Sequence, residues 1–231
     1  MKLVAPKLSY IEKTSFEECL KKMKVQDVHI DQNIQQRTII QDLTFDGCLF
    51  ENIDFNTLPE KCVLKCTHDS GSVAIIDKNT KVSLKHLDLI DVTFDKCDLS
   101  NQNFDHQYLN RVQFKNCKLT GTSFIETNLK DVLFDHCQGR YSNLSSSQLL
   151  NVMFDHCDLQ EASFYDANFK KIQFNETNLI QSELASLHHK GLDLSTCQIQ
   201  GAMFDLASLK GLIINDFQAV DLIGILGVKV K

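Results

Sequence analysis

Large apolar side chains recur at every fifth position of this chain from Leu84 to Ile214. Of these 27 positions, 25 carry Leu, Phe or Ile, and the exceptions are Gly139 and His189. A second set, two residues before each of these positions, is small, β-branched or apolar nearly throughout. A period of five fits neither the repeat of an α-helix nor the alternation of a strand. The pattern predicts a coil in which each five-residue unit forms one side and turns a corner through its polar residues.

Four such sides make one turn of twenty residues, so residues twenty apart stack on successive turns. Stacking brings cysteines into one column, where we expect packing, because parallel Cβ vectors rarely permit the disulfide torsion. The column consists of Cys97, Cys117, Cys137, Cys157 and Cys197, with Thr177 in the remaining place. A second predicted core column consists of Phe94, Phe114, Phe134, Phe154 and Phe174. The sequence therefore predicts an all-β solenoid with a square cross-section.

The five-residue units resemble those of the pentapeptide-repeat family. Units such as CDLSN, CKLTG, TNLKD, CDLQE and ANFKK look like the A(D/N)LXX units of that family, from residue 84 to 214 with a further fragment near the start. The resemblance implies a right-handed quadrilateral β-helix. Its handedness comes from the family, because spacing alone does not show it.

The repeat register shifts once, between residues 55 and 82. The stretch LTFDGCLFENIDF has the same spacing as the later repeats but a register that differs by one residue. Pro59, a turn-like HDSG and two short apolar runs follow it, which predicts a projecting loop or hairpin. The predicted organisation is 1–26 without repeats but with a short helix after Ser15, 27–55 as first repeat coils, 56–82 as the insertion, 83–214 as the main β-helix and 215–231 as a C-terminal helix and strand.

After residue 214 the period becomes helical. Asn215 and Gln218 form a capping-box pattern, and an apolar stripe runs from Ala219 to Leu226. We expect this helix to cover the open end of the solenoid or to pair with a second copy. The segment also resembles the carboxy-terminal part of Qnr-type pentapeptide proteins, which implies a homodimer. The candidate cap or dimer residues are Phe217, Leu222, Ile223 and Leu226.

Composition narrows the expected surroundings of the chain. Its 231 residues carry 24 Lys and Arg against 30 Asp and Glu, a net charge of -6, which argues against direct binding of nucleic acid. No apolar run is long enough to span a bilayer, and the first residues lack the apolar region of a signal peptide. We therefore expect a cytoplasmic protein without membrane contact, in which the nine cysteines stay reduced.

Few residues suggest chemistry beyond packing. The chain contains no nucleophile elbow, phosphate-binding loop or dinucleotide fingerprint, so we expect no enzyme activity and no cofactor. His136 and His156 should stack on an outer face beside Asp135 and Asp155, where a solvated face is favoured over a metal site. The C-x3-C-x-H pattern that begins at Cys62 lacks a second ligand pair. We therefore predict no metal.

Two residues interrupt the predicted core. His189 is expected to be a neutral, tolerated core defect. Gly139 is followed by Arg140 and Tyr141, which should point outward. Since these residue types often anchor interfaces, both are candidate partner contacts.

The charge pattern suggests how such a rod could act. Residues 84–214 carry 16 acidic and 11 basic residues, and Asp95, Asp135 and Asp155 are candidate contacts for a basic groove. The Qnr-type resemblance implies a DNA mimic that binds DNA gyrase or topoisomerase IV and modulates quinolone susceptibility. It also makes 56–82 the counterpart of a projecting loop, although no motif in it matches. The alternative is a structural or adaptor solenoid that binds another protein.

Overall fold

The computed structural model describes residues 92–228 without interruption and eight short strands upstream of them. The strands are β1 (Glu12–Thr14), β2 (Lys24–Gln26), β3 (Val28–Ile30), β4 (Thr44–Asp46), β5 (Leu49–Glu51), β6 (Cys62–Leu64), β7 (Ala74–Ile76), β8 (Leu89–Ile90), β9 (Thr93–Asp95), β10 (Tyr108–Asn110), β11 (Gln113–Lys115), β12 (Asn128–Asp135), β13 (Gln148–Asp155) and β14 (Asn168–Asn175). They are followed by the α-helix α1 (Asp216–Ile223) and a 3-10 helix (Gly224–Leu226). In this described part of the chain, no helix is long and apolar enough to cross a membrane.

Parallel pairing at intervals of twenty residues builds the fold. β9, β11, β12, β13 and β14 stack in that order, so that Phe94 lies opposite Phe114 and each later Phe of the column follows. β8, β10 and β12 form a second stack, and isolated bridges repeat the same offset on the other sides. From Thr93 to Gln173 the chain makes four complete turns. This parallel β-solenoid confirms the predicted fold class.

A left-handed residue turns the chain at every corner. From Lys96 to Gly191, all twenty residues at intervals of five have φ between 42° and 67°. Left-handed backbone costs an L-residue about 1–2 kcal/mol and is worst for β-branched side chains, and none of these twenty is Val, Ile or Thr. Most of these corner N–H groups donate to the next turn, as from His136 to the Asp155 carbonyl at 2.9 Å. Bonds to the next turn thus hold the corners.

Aromatic rings stack along the axis of the solenoid. In the column from Phe94 to Phe174, neighbouring ring centroids lie 4.7 Å to 5.1 Å apart with planes within 8° of parallel, which matches the strand spacing. Phe104 and Phe124 stack at 5.0 Å on the opposite wall. They meet the first column edge to face, with 6.2 Å between the centroids of Phe104 and Phe114. The predicted Phe column is therefore a continuous axial core.

The parallel ladder also continues upstream of the regular repeats. β5 pairs with β9, β3 and β1 extend the same sheet, and β2 pairs with β4. β1 and β2 lie within residues 1–26, where the sequence shows no repeat, so coil-like pairing begins earlier than the spacing indicates. Two strands that follow β5 in the chain, β6 and β7, pair antiparallel. This is the pairing of a β-hairpin, and both strands lie within 56–82. The rest of residues 1–91, including the helix expected after Ser15, lies outside the described residues.

A capping box starts α1 as the sequence predicts. The Asn215 side chain accepts hydrogen bonds from the N–H groups of Phe217 and Gln218 at 3.0 Å and 3.1 Å. In return, the Gln218 side chain accepts from the Asn215 N–H at 2.8 Å. Gly227, with φ 74°, ends the 3-10 helix. The strand expected at the terminus falls mainly on residues 229–231, outside the described residues.

The buried side of α1 differs from the predicted apolar stripe. Leu222 is buried as expected, but Ala219 is exposed and Gln218 is buried. The Gln218 Nε2 donates to the carbonyls of Leu194 at 2.8 Å and Cys197 at 2.7 Å. Backbone carbonyls at the end of the last turn require hydrogen-bond donors. The polar Gln218 therefore lies on the buried side of α1, where the apolar pattern predicted Ala219.

Candidate functional site

The solenoid has four outer faces, which we number in chain order. In the turns from residue 92 to 191, the first face starts at residue 92, the second at 97, the third at 102 and the fourth at 107, and each recurs every twenty residues. Acidic and basic residues number four and two on the first face, three and two on the second, four and none on the third, and one and five on the fourth. The net charges of the four faces are therefore -2, -1, -4 and +4.

The third face carries a row of carboxylates without any Lys or Arg between residues 102 and 186. The acidic residues are Asp105, Glu126, Asp166 and Glu183. The Ile125 N–H donates to Asp105 at 2.8 Å, and the Ser163 hydroxyl donates to Glu183 at 2.7 Å. These bonds fix both carboxylates in place.

Asp205 continues this row on the following turn. Hydrogen bonds from the Ser208 hydroxyl and N–H, at 2.6 Å and 2.8 Å, lower the pKa of Asp205 to about 2. The Ser186 N–H donates to the same carboxylate at 3.0 Å. The row of negative charge therefore extends to the end of the solenoid.

The aspartates predicted on the first face are aligned but partly compensated. Lys115 lies in register between Asp95 and Asp135. Lys96 approaches Asp95 at 3.9 Å, and the His136 and His156 side chains contact Asp135 and Asp155. His106 and His188 likewise approach the third-face carboxylates Glu126 at 3.2 Å and Asp166 at 3.8 Å. Because no Lys or Arg lies on that face between residues 102 and 186, its net formal charge is still the more negative.

The two histidines stack as their spacing predicts. The rings of His136 and His156 lie 4.8 Å apart and 1° from parallel. The Nδ1 of His136 contacts Asp135, and His156 contacts Asp155 at 3.1 Å and Glu176 at 3.3 Å. Within the described ranges, no group of three or more His, Cys, Asp or Glu side chains is placed to hold a metal ion.

The cysteine column packs inside the solenoid, and its five thiols are buried and not joined by disulfides. Each of the last four contacts a first-face carbonyl of the preceding turn, as Cys137 does with Phe114 at 3.3 Å. The Thr177 hydroxyl makes the same bond to Phe154 at 3.2 Å, which explains why Thr fits this column. Contact with the Cys137 thiol and burial raise the pKa of Cys157, and burial raises the pKa of Cys197. These thiols stay protonated at neutral pH and are poor nucleophiles.

The notch at Gly139 has a packing cause. A Cβ added at Gly139 would lie 2.8 Å from a methyl group of Leu159, so Leu159 fills the space that a side chain would need. The neighbouring Arg140 guanidinium lies 5.6 Å from the Tyr141 ring centroid and 3.8 Å from Glu161. Tyr141 is 52% exposed. This pair is accessible for a partner contact of the kind predicted.

His189 links two parts of the last turns. Its Nε2 lies 2.7 Å from the Ser208 carbonyl, and the Leu192 N–H donates to its Nδ1 at 3.3 Å. Both contacts are satisfied by the neutral tautomer with the proton on Nε2. The side chain is half-buried, so it lies at the edge of the core and not within it.

Comparison with known proteins identifies the repeat. The family model described as "Pentapeptide repeat region" matches residues 87–164. These residues are a pentapeptide-repeat region. No curated protein sequence matches the chain significantly.

Several solved structures, among them pentapeptide-repeat proteins, are similar to this chain. Full-length QnrB1, a plasmid-mediated fluoroquinolone resistance protein, is 15% identical, with a TM-score of 0.28 over 89% of this chain and 100% of its own. HetL of Nostoc sp. strain PCC 7120, involved in heterocyst differentiation regulation, is 17% identical, with a TM-score of 0.43 over 84% and 83%. A pentapeptide repeat protein of the Arabidopsis thaliana thylakoid lumen is 20% identical, with a TM-score of 0.33 over 48% and 74%.

The C-terminal candidates of the pentapeptide-repeat solenoid divide between two roles. Leu222 is buried against the core, and Ile223 is half-buried. Phe217 is 89% exposed and so does not cover the last turn. The side chain of Leu226 lies outside the described residues. Leu222 therefore packs against the core of the solenoid, whereas Phe217 is accessible to solvent.

Sequence reasoning missed the acidic third face and the basic fourth face. The signal was present, since assigning each outward residue to its place in the twenty-residue turn separates the charges. The predicted acidic rod rested on the charge summed over residues 84–214. A sum of that kind averages faces that point in different directions.

Proposed function

We propose that this chain binds a protein partner without catalysing a reaction, by presenting the third face to a basic groove. The row of five carboxylates from Asp105 to Asp205, uninterrupted by Lys or Arg between residues 102 and 206 on this face, carries the proposal. Hydrogen bonds already fix three of these carboxylates. Fixed charges lose less entropy on binding and complement a groove of the opposite sign.

We further propose that the groove belongs to a type II topoisomerase, DNA gyrase or topoisomerase IV. Such a groove binds the charged backbone of DNA, and a narrow rod with carboxylates on five of six turns of one face offers negative charge along its length. The resemblance of the C-terminal segment to that of Qnr-type proteins supports this partner and a role in quinolone susceptibility. Tyr141 and Tyr165, which are 52% and 47% exposed beside the acidic row, are suitable anchors at its margin.

A supercoiling assay with gyrase from the same organism tests the topoisomerase proposal. We expect micromolar protein either to restore supercoiling in the presence of ciprofloxacin or to inhibit supercoiling directly. Neutralising two exposed third-face residues, with Glu126→Gln and Asp166→Asn together, should raise the protein concentration required for this effect about tenfold. The reason is that two carboxylates facing the basic groove lose their charge.

The matched control removes the same amount of negative charge from other faces, with Asp158→Asn on the second face and Glu176→Gln on the first. The control should leave the effect on gyrase within about twofold. If wild-type protein neither binds gyrase nor alters supercoiling, the topoisomerase proposal is wrong. If both double variants lose activity equally, the third face is not the contact.

We also propose that two copies pair through the C-terminal helix. Phe217 and Val220 are 89% and 59% exposed on α1, and large apolar side chains on a helix favour a partner surface. Sedimentation equilibrium should show a dimer for the wild-type chain and a monomer for Phe217→Ser. A wild-type monomer at 100 µM protein, or a Phe217→Ser variant that dimerises as tightly as wild type, would contradict this pairing.

A further inference from the structure

A trough crosses the fourth face between two walls, one formed by Lys130 and the other by Lys170 and Lys171. Lys130 lies opposite Leu150 in the parallel register, and Leu150 lies opposite Lys170 on the following turn. The two walls lie two strand spacings, about 10 Å, apart. Leu150, which is half-buried, and Gln148 line the open depression between them. The trough therefore has a neutral floor and walls of three lysines, with one carboxylate, Asp131, beside Lys130.

The lysines of these walls are not used inside the protein. Within residues 92–228, Lys130, Lys170 and Lys171 form no ion pair, and all three are exposed. By contrast, Lys118 on the second face lies 3.6 Å from Asp98. The single carboxylate of the fourth face, Asp131, accepts a hydrogen bond from the Asn151 amide. The positive charge of the walls is thus available to an anion from outside.

The remaining side chains of the face have the chemistry of phosphate and base contacts. Over the first four turns its outward residues are all Tyr, Asn, Gln, Lys or Arg apart from Asp131 and Leu150. These residue types make most hydrogen bonds to phosphates, sugars and base edges. Asn128, Gln148 and Asn168 align in register as a row of amides beside the lysines. An acidic protein would use the lysines but has no need of this amide row.

We propose that the trough binds a single-stranded segment of nucleic acid. Lys130 on one wall and Lys170 with Lys171 on the other contact phosphates, while Leu150 supports one base and the amide row meets base edges. Walls about 10 Å apart admit one phosphodiester strand but not a duplex. An anionic membrane fits less well, because the half-buried Leu150 is the one large aliphatic side chain that this face presents between residues 107 and 171.

This site reverses the expectation that the chain makes no direct contact with nucleic acid. That expectation used the net charge of -6, but a strand in the trough meets a face of net charge +4. Contact with three lysines predicts sequence-independent binding in the range of about 10–100 µM, with a salt slope of about -2 for log K against log salt concentration.

Fluorescence anisotropy with a labelled ten-nucleotide oligo(dT) tests the site in the full chain at 50 mM NaCl. The triple variant Lys130→Gln, Lys170→Gln, Lys171→Gln should bind at least tenfold more weakly than wild type. The matched control Lys96→Gln, Lys115→Gln, Lys118→Gln removes the same charge from other faces and should change affinity less than twofold. The variant Lys130→Arg, Lys170→Arg, Lys171→Arg should retain wild-type affinity. Circular dichroism checks that each variant is folded.

Several outcomes would overturn the proposal. One is that wild-type protein does not bind oligo(dT) at 100 µM. Another is that the trough variant and the control variant lose the same amount of affinity for oligo(dT). A duplex that binds more tightly than the single strand would contradict the fit between the two walls. Competition by poly-glutamate, or by phosphatidylserine vesicles, as strong as that by unlabelled oligo(dT) at equal charge would assign the face to an acidic protein or a membrane instead.

Discussion

Replacing Phe114 with Ala is expected to lower the free energy of unfolding by about 3–5 kcal/mol. Phe114 is fully buried, and its ring stacks between those of Phe94 and Phe134 at 5.1 Å and 4.9 Å. Its loss removes buried apolar area and leaves a cavity that two parallel rings cannot close without breaking their own strand register. Since each turn of a solenoid depends on its neighbours, the effect should reach both adjacent turns.

Urea denaturation followed by far-UV circular dichroism measures this loss, because the chain contains no Trp. The matched control is Phe169→Leu. Residue 169 occupies the place that Leu109, Leu129 and Leu149 fill in the preceding turns, so this change should cost less than about 1.5 kcal/mol. Equal losses for the two variants would show that the ring column is not the main source of core stability.

Replacing Gln218 with Ala is expected to lower the free energy of unfolding by about 2–4 kcal/mol. Gln218 is 3% exposed, and its amide bonds to the Leu194 and Cys197 carbonyls and to the Asn215 N–H. Alanine would leave all three groups without these partners at the end of the core. The helix would then lose both its capping box and its attachment to the last turn.

Gln218→Glu sharpens this test, because it keeps the shape of the side chain but loses the two N–H donors and faces a carboxylate toward carbonyls. At pH 7 it should destabilise at least as much as Ala. Asp221→Ala, an exposed position of the same helix, is the control and should change stability by less than about 0.5 kcal/mol. If Gln218→Ala has no more effect than Asp221→Ala, α1 does not act as the cap of the solenoid.

The functional proposals rest on a surface in which charge is sorted by face. The third face has four carboxylates and the fourth has five cations against one carboxylate in the same turns. Because the two faces point in different directions, a protein groove on one side and a nucleic-acid strand on the other are compatible with one rod. The two experiments are independent, because the variants used in each leave the charges of the other face unchanged.

The sequence by itself determined the solenoid, its period and most of its core. Each place in the five-residue unit points either inward or outward. Apolar residues such as Phe114 and Cys137 at repeated places therefore indicate directly that those places face the core. The capping box at Asn215 could also be predicted, because it depends on contacts within four residues of chain.

Only the tertiary structure decided the features that depend on residues far apart in the chain. Ala219 was expected on the buried side of α1, but free carbonyls of Leu194 and Cys197 required the Gln218 amide there, and helical periodicity does not record carbonyls on another turn. The gap at Gly139 is filled by Leu159 of the next turn. By contrast, the sorting of charge between the third and fourth faces could have been found from the sequence, because the twenty-residue period already assigns each outward residue to a face. The repeat period can be read from the order of residues along the chain. The side-chain contacts between turns depend on how the hydrogen bonds stack one turn on the next.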